Sequence, residues 1–278
     1  YDYNNPLEIA PRVELFYNST SKESLLIFQT VNSILDEYEK SLVNKFDINN
    51  NFEINYDLAS TRDVLGTLFS SLFPMLIMVF LLSSCMGVAP ESIAGEKERG
   101  TLSTLLITPI KRSQLAIGKV LSLSFISLLG GLSAFIGVIL SFSNIVGGDL
   151  DISMSIYGFK DYGSILLVIL STVFLFVVIV SLVSAFSKSV KEANTLISPI
   201  MIVVIVIAFS SSILEGLGSQ ILYLIPIVNS SYILSSIFLF EYEFISVLFV
   251  VLSNIITSGV LIFILAKMFS SEKIMFSK

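Results

Sequence analysis

The chain has 278 residues, of which 54% are hydrophobic and 14% charged, and its mean hydropathy is +0.87. Soluble globular proteins have roughly 45–50% apolar and about 25% charged residues, so this composition indicates an integral membrane protein. The absence of histidine excludes histidine acid–base chemistry, the net charge of −6 argues against nucleic-acid binding, and the single Cys85 excludes an intrachain disulfide.

The chain opens with a polar segment, residues 1–65, that we expect to form a small α/β domain. The stretch "RVELFY" (12–17) alternates apolar and polar residues like a strand, and "FEINY" (52–56) is a weaker second strand. Between them, residues 21–46 place apolar side chains on one helical face, and Ser21 offers a loose cap at the start of this helix. The pattern favours a packed domain over a catalytic one.

Five apolar runs are long enough to cross a bilayer core of about 30 Å, which takes about 20 helical residues. They lie at 66–88, 115–142, 163–186, 196–214 and 244–266. A further apolar stretch, 219–240, is interrupted by Pro226 and Asn229, so we expect a re-entrant pair of short helices, with a broken but complete span as the alternative. Residues 66–278 thus form an all-α polytopic transmembrane domain.

The distribution of lysine and arginine predicts how these spans are oriented. Basic residues concentrate in 89–114, in 187–195 and at the C-terminus, and the positive-inside rule assigns that side to the cytoplasm. With five spans, residues 1–65 then lie outside the cell membrane. An external segment needs an export signal that the visible sequence lacks, so we expect an upstream span that raises the total to six.

One segment between the first two spans is unusually charged: "SIAGEKERGTLSTLLITPIKRSQLAIGK" (92–119). Its apolar residues fall near helical spacing, charges cluster from Glu96 to Arg99, and Pro109 ends the pattern. We expect an amphipathic interfacial helix over about 91–110. It either caps a hairpin or contacts a partner, and its length favours a partner because ordinary loops take about 2–8 residues.

The stretches "AGEKERGTLSTLLITPIKRSQLAIGKVLS" and "SLFPMLIMVFLLSSCMGVAPESIAGEKERGT" closely resemble the signature of ABC type-2 permeases, the membrane subunits of ABC exporters. The resemblance is strongest to the NatB-like sodium-efflux permease group and extends from about Asp57 to the C-terminus. It implies six spans, an outer domain between the first two, re-entrant helices before the last, and a dimer with a second permease subunit, either identical or different. The visible chain differs by lacking the first of these spans.

The resemblance also implies that the charged segment is a coupling helix that contacts a separate cytosolic ABC ATPase. The residues that match the family signature there are Gly95, Glu96, Lys97, Glu98, Arg99, Gly100, Thr101, Leu105, Thr108, Pro109, Gly118 and Lys119. A second contact is implied in the loop 187–195, through Lys188, Lys191 and Glu192. From its residues alone, this loop is either such a contact or only a positive-inside anchor.

The chain itself is not expected to bind ATP. Gly118 and Lys119 are followed by Val120 instead of Ser or Thr, and Ser113 replaces the first glycine of a phosphate-binding loop. ATP and Mg²⁺ therefore belong to the partner ATPase, and we expect this chain to bind no cofactor. No acidic residue or histidine lies in mid-span, which argues against a membrane-embedded enzyme and a proton-coupled carrier.

Two sets of residues inside the spans leave their roles open. Gly130 and Gly137 belong to a small-residue stripe that permits close helix approach, either within the chain or at a dimer seam. Ser171, Asn254 and other polar residues either line a transport path or bond to backbone carbonyls. We therefore expect a non-enzymatic exporter subunit whose cargo is Na⁺ or a drug, peptide or lipid, with a non-transporting membrane sensor as the other class.

Overall fold

The computed structural model describes residues 12–40, 47–49, 51–101, 111–146, 157–214 and 223–270. The chain divides into two compact units, Tyr1–Leu68 and Phe69–Lys278. The division lies close to the boundary that the sequence places after residue 65.

The described part of the first unit contains one long helix and two very short strands. Strands β1 (Arg12–Val13) and β2 (Asp47–Ile48) pair in parallel. Helix α1 (Lys22–Glu39) begins as predicted, because the side chain of Ser21 accepts a hydrogen bond from the backbone N–H of Ser24. It ends at Glu39, and the rest of the predicted helix, 41–46, lies outside the described residues.

The predicted strand "FEINY" (52–56) is wrong. The side-chain oxygen of Asn51 accepts from the N–H of Glu53, and the Asn51 carbonyl accepts from Ile54, so the backbone forms a turn there. Asparagine side chains commonly stabilise such turns at the expense of a strand ladder. The second strand is instead β2, and only the first two residues of "RVELFY" belong to β1.

The apolar face of α1 is less buried than a packed domain requires. Among the described residues no α1 side chain is buried, and Ile27 and Ile34 are 64% and 59% exposed. The Tyr17 and Phe28 rings stack with their centroids 4.2 Å apart. The described part of this unit therefore does not confirm the expected α/β core.

The described part of the second unit is helical. Helix α2 (Thr61–Pro90), which begins in the first unit, continues through a π-helical turn (Glu91–Gly95) and a last turn (Glu96–Glu98). The helices that follow are α3 (Arg112–Val146), α4 (Phe159–Phe186), α5 (Val190–Leu214), α6 (Val228–Phe238) and α7 (Phe244–Phe269).

The five predicted spans are confirmed as helices within the described part of the chain. The segments long and apolar enough to cross a membrane are Arg62–Glu98, Arg112–Ser133, Phe159–Phe186, Val190–Ser210 and Phe244–Phe269. The protein is therefore a multi-pass membrane protein.

Helix α4 lies at the centre of the helix bundle. It packs along α7 and also contacts α3, α5 and α6. Its Phe176 is fully buried, whereas Phe125 on α3 and Phe263 on α7 are 65% and 72% exposed. Apolar side chains on the outer surface are expected where the solvent is the hydrocarbon of a bilayer.

The predicted re-entrant stretch, 219–240, is described from residue 223 onwards. Helix α6 has 11 residues, too few to cross a bilayer, and ten of its side chains are buried. The break before it falls at Pro226 and Ile227, where Ile227 has φ +75°. The first part of the stretch, 219–222, lies outside the described residues, so the re-entrant pair stays a prediction.

Candidate functional site

The charged segment does not form the separate helix predicted over 91–110. Pro90 itself has the helical backbone angles φ −60° and ψ −42°, so no new helix begins at Glu91 and the helix continues from α2 to Glu98. Gly100 then takes φ +76°, the left-handed conformation that commonly ends helices. A single helix over 91–110 is therefore wrong, and the predicted site residues Leu105 and Pro109 lie outside the described residues. We call Glu91–Arg99 the charged extension of α2.

One ion pair lies on the exposed surface of the charged extension. Nη1 of Arg99 is 2.6 Å from Oε1 of Glu91, and both side chains are more than half exposed. The hydrogen bond and charge of Glu91 raise the pKa of the Arg99 guanidinium. Gly95 permits this pairing, since a Cβ there would lie 3.1 Å from Nη2 of Arg99 and 3.2 Å from Cδ of Glu91.

A second, less exposed ion pair joins the charged extension to α3. Nζ of Lys119 is 2.7 Å from Oε1 of Glu96, and their side chains are 11% and 25% exposed. The same ammonium donates to the carbonyl and the hydroxyl oxygens of Ser92, at 2.9 and 3.2 Å. The other carboxylate oxygen of Glu96 is buried and has no hydrogen-bond partner among the described residues.

The next two charges contact the turn between α4 and α5. Nζ of Lys97 donates to the carbonyl oxygen of Ala185 in the last turn of α4, at 3.2 Å. Oε2 of Glu98 accepts from the N–H of Val190, the first residue of α5, at 3.1 Å. A cation at a helix C-terminus and an anion at an N-terminus both complement the helix dipole. The extension therefore holds both ends of the turn.

The second predicted contact loop also uses one of its charges within the chain. The N–H of Lys188 donates to Oε2 of Glu192 at 2.7 Å, and the N–H of Glu192 donates to Oγ of Ser189 at 3.2 Å. This resembles a capping box and stabilises the start of α5. Lys188 and Lys191 are exposed.

The structure thus brings the two predicted groups of site residues, 95–101 and 188–192, to the same end of the bundle. It also assigns a contact to Lys119 that the sequence did not predict. A lysine within an otherwise apolar run is a signal for such a contact, because a charge there needs a partner. The spacing of Ser189 and Glu192 is a second signal, since it is that of a helix cap.

A buried polar cluster joins α4, α6 and α7. Nδ2 of Asn254 donates to Oγ of Ser171 at 3.2 Å and to Oγ of Ser230 at 2.9 Å. Oδ1 of Asn254 has no hydrogen-bond partner among the described residues. Within the same ranges, no group of three or more His, Cys, Asp or Glu side chains is placed to hold a metal ion.

Part of the small-residue stripe on α3 packs within the chain. A Cβ on Gly130 would lie 2.4 Å from Oγ of Ser84 on α2, and that hydroxyl donates to the carbonyl of Ser127 at 2.7 Å. At Gly137, by contrast, a Cβ would meet no atom within 4 Å. Close approach between α2 and α3 therefore accounts for Gly130.

Comparison with known proteins gives two similarities. The family profile of the ABC-2 family transporter proteins matches residues 2–267. The ABC transporter permease protein NatB of Bacillus subtilis (strain 168) is 26% identical over 198 residues, which are 67% of this chain and 51% of that protein. The chain thus spans about half the length of this relative.

Proposed function

The chain belongs to the ABC-2 family of transporter proteins, and from this premise we propose that it is the permease subunit of an ATP-driven exporter. A separate cytosolic ABC ATPase binds and hydrolyses ATP with Mg²⁺, and this chain provides the membrane path. The observation that supports this assignment most is the charged extension of α2, because it ends in an exposed ion pair and also contacts three other helices.

The contact surface for the ATPase consists of the exposed charges at this end of the bundle. Glu91 and Arg99 form one part, and Lys188 and Lys191 form the other. Exposed charges of this kind steer association and make it dependent on salt. Thr101, which is exposed, continues the first part, and Leu105 and Pro109 belong to the same proposed contact on the resemblance alone.

The remaining members of the signature shape and hold this surface. Gly95 leaves room for the Arg99 side chain, and Gly100 ends the helix. Glu96, Lys97 and Glu98 contact their own chain, and Glu192 caps α5. When the ATPase moves the surface, the continuous helix carries the displacement into the first visible span as a rigid body.

The charged end faces the cytoplasm in this proposal, and residues 1–65 lie outside the cell. The basic residues at this end support that orientation through the positive-inside rule. A second permease subunit, identical or different, completes the membrane core.

The proposed cargo is Na⁺, which the resemblance of the charged segment to the NatB-like sodium-efflux group supports. A drug, a peptide or a lipid would use the same coupling. ATP-dependent uptake of Na⁺ into inside-out vesicles containing the chain and its ATPase tests the ionic cargo. Uptake no greater than in vesicles without the chain would contradict Na⁺ as cargo and leave the permease assignment standing.

The coupling proposal is tested by purifying the tagged full-length chain from membranes and identifying the ATPase that accompanies it. We expect Arg99→Glu to reduce the amount of ATPase per chain. The matched control is Lys160→Glu, which reverses an exposed lysine in the first turn of α4, at the opposite end of that helix from the charged extension. No accompanying ATPase would contradict the exporter and favour a membrane sensor. Equal loss in both variants would place the contact elsewhere.

A further inference from the structure

Lys119 joins the charged extension of α2 to α3 through three hydrogen bonds. We propose that it is a positioning residue, which transmits displacement of the extension to α3. The inference rests on the proposed function, and it separates two tasks at the charged end. Glu91 and Arg99 contact the ATPase, whereas Glu96 and Lys119 carry its movement into the bundle.

The three bonds hold two successive turns of the extension. Lys119 donates to Ser92 in one turn and to Glu96 in the next. The N–H of Glu96 donates to the carbonyl of Ile93, whereas in a regular α-helix it would donate to that of Ser92. Lys119 therefore bonds to a carbonyl within the π-helical turn and fixes this irregular part of the helix against α3.

The other charges of the extension lead to different helices. Lys97 contacts the end of α4 and Glu98 the start of α5. Of the three links that join the extension to other helices, the link to α3 is the one made by two oppositely charged side chains. It is also the one that a pair of neutral substitutions removes without changing the backbone.

Because this link is poorly exposed, removing one of its partners should have a different effect from removing both. Oε2 of Glu96 is buried and has no hydrogen-bond partner among the described residues, so Lys119 supplies the compensating charge. Removing one partner of a poorly solvated ion pair costs more than removing both, because a single buried charge is left behind. Lys119→Met should therefore lower the melting temperature more than Lys119→Met combined with Glu96→Gln does.

The experiment measures movement at both sides of the link in the full-length chain with its accompanying ATPase. Cys85 is the only native cysteine and is buried, so cysteines placed at exposed Gly87 on α2, where a Cβ meets no atom within 4 Å, and, separately, at exposed Ser122 on α3 can be labelled selectively. A spin label at each position reports the change on adding ATP with vanadate. Lys111→Met, at an exposed lysine just before α3, is the control for loss of a positive charge.

In the parent chain we expect nucleotide-dependent changes at both labels. In Lys119→Met the amount of ATPase per chain and the change at residue 87 should remain. The change at residue 122 should fall about fivefold or more, since allosteric coupling between two sites commonly amounts to a factor of at least about five. Adding Glu96→Gln should recover part of the melting temperature but not the response at residue 122, because the link is still absent, and Lys111→Met should leave both labels unchanged.

Three results would overturn the inference. One is a normal Ser122 response in Lys119→Met, and another is parallel loss of ATPase and of both responses, which indicates a purely structural role. The third is a normal response at residue 122 in the double variant, which also lacks the link. Failure of the parent chain to retain any ATPase would contradict the proposed function itself and is therefore a distinct outcome.

Discussion

The carboxylate of Glu98 accepts a hydrogen bond from the backbone N–H of Val190, 3.1 Å away and 92 positions later in the chain. This bond caps the N-terminus of α5 with a side chain from the end of the first visible span. The "GEKERG" motif is therefore part of the bundle's own structure as well as a surface. Its charged residues contact different groups, so each substitution there is expected to have a different effect.

The Glu98 carboxylate should stabilise the start of α5. We expect Glu98→Ala to lower the free energy of unfolding by about 1 kcal/mol, the usual cost of losing a helix cap. Glu98→Gln keeps an acceptor oxygen and should lose less. Thermal unfolding of the detergent-solubilised protein measures the difference, and equal melting temperatures for Glu98→Ala and the parent would contradict the cap.

Reversing two charges at once should damage the permease itself. From the charge pattern alone, Glu96→Lys combined with Glu98→Lys would be expected to disturb partner binding without disturbing the fold. In the structure, this variant places one lysine beside Lys119 and another at the positive N-terminus of α5. We expect a lower melting temperature than in Arg99→Glu. A melting temperature equal to the parent's would show that these two contacts contribute little.

Gly100 should resist substitution because its φ of +76° is unfavourable for residues with a Cβ. We expect Gly100→Ala to destabilise the protein by about 1 kcal/mol. The control is Gly87→Ala in α2, where a Cβ meets no atom within 4 Å and alanine is the better helix former. Thermal unfolding of both variants decides the point, and an equal response would argue against strain at Gly100.

Close approach between α2 and α3 should make Gly130 sensitive to one added methyl group. Gly130→Ala would place a Cβ 2.4 Å from Oγ of Ser84, so we expect a loss of about 1–3 kcal/mol from overpacking. Adding Ser84→Ala should recover part of it, since Cβ of Ser84 lies 3.5 Å away. Gly137→Ala on the same helix serves as the neutral control. If adding Ser84→Ala did not raise the melting temperature of Gly130→Ala, the close contact between these two residues would be contradicted.

The buried amide of Asn254 should contribute modestly to holding α4, α6 and α7 together. Asn254→Leu removes its two hydrogen bonds, and we expect a loss of about 1 kcal/mol, as for other polar contacts between membrane helices. Ile256→Val, at a side chain on α7 that is 59% exposed, is the control. The melting temperature and Na⁺ uptake of both variants distinguish a packing role from a role in the transport path. Loss of uptake without a change in melting temperature would favour the path.

Much of the membrane architecture follows from the sequence because it depends on local composition. A run of about 20 apolar residues can satisfy its backbone in a bilayer only as a helix, and the five spans were predicted on that ground. The start of α1 at Ser21 followed equally from a local cap. Element boundaries that depend on a single turn were harder to predict. At 52–56, where a strand was predicted, the side-chain hydrogen bond of Asn51 stabilises a turn instead.

The sequence by itself determined that this is a multi-pass protein with one charged element after its first visible span, and it identified the residues of that element. Only the tertiary structure decided which of those charges face their own chain. Ala185 and Val190 lie roughly 90 positions from Lys97 and Glu98 in the chain. The local periodicity of a sequence indicates which face a residue occupies, but it does not reveal contacts between positions so far apart. Helix packing brings these groups together, and a charge at the edge of an apolar bundle is stable where it finds an opposite charge or a helix end.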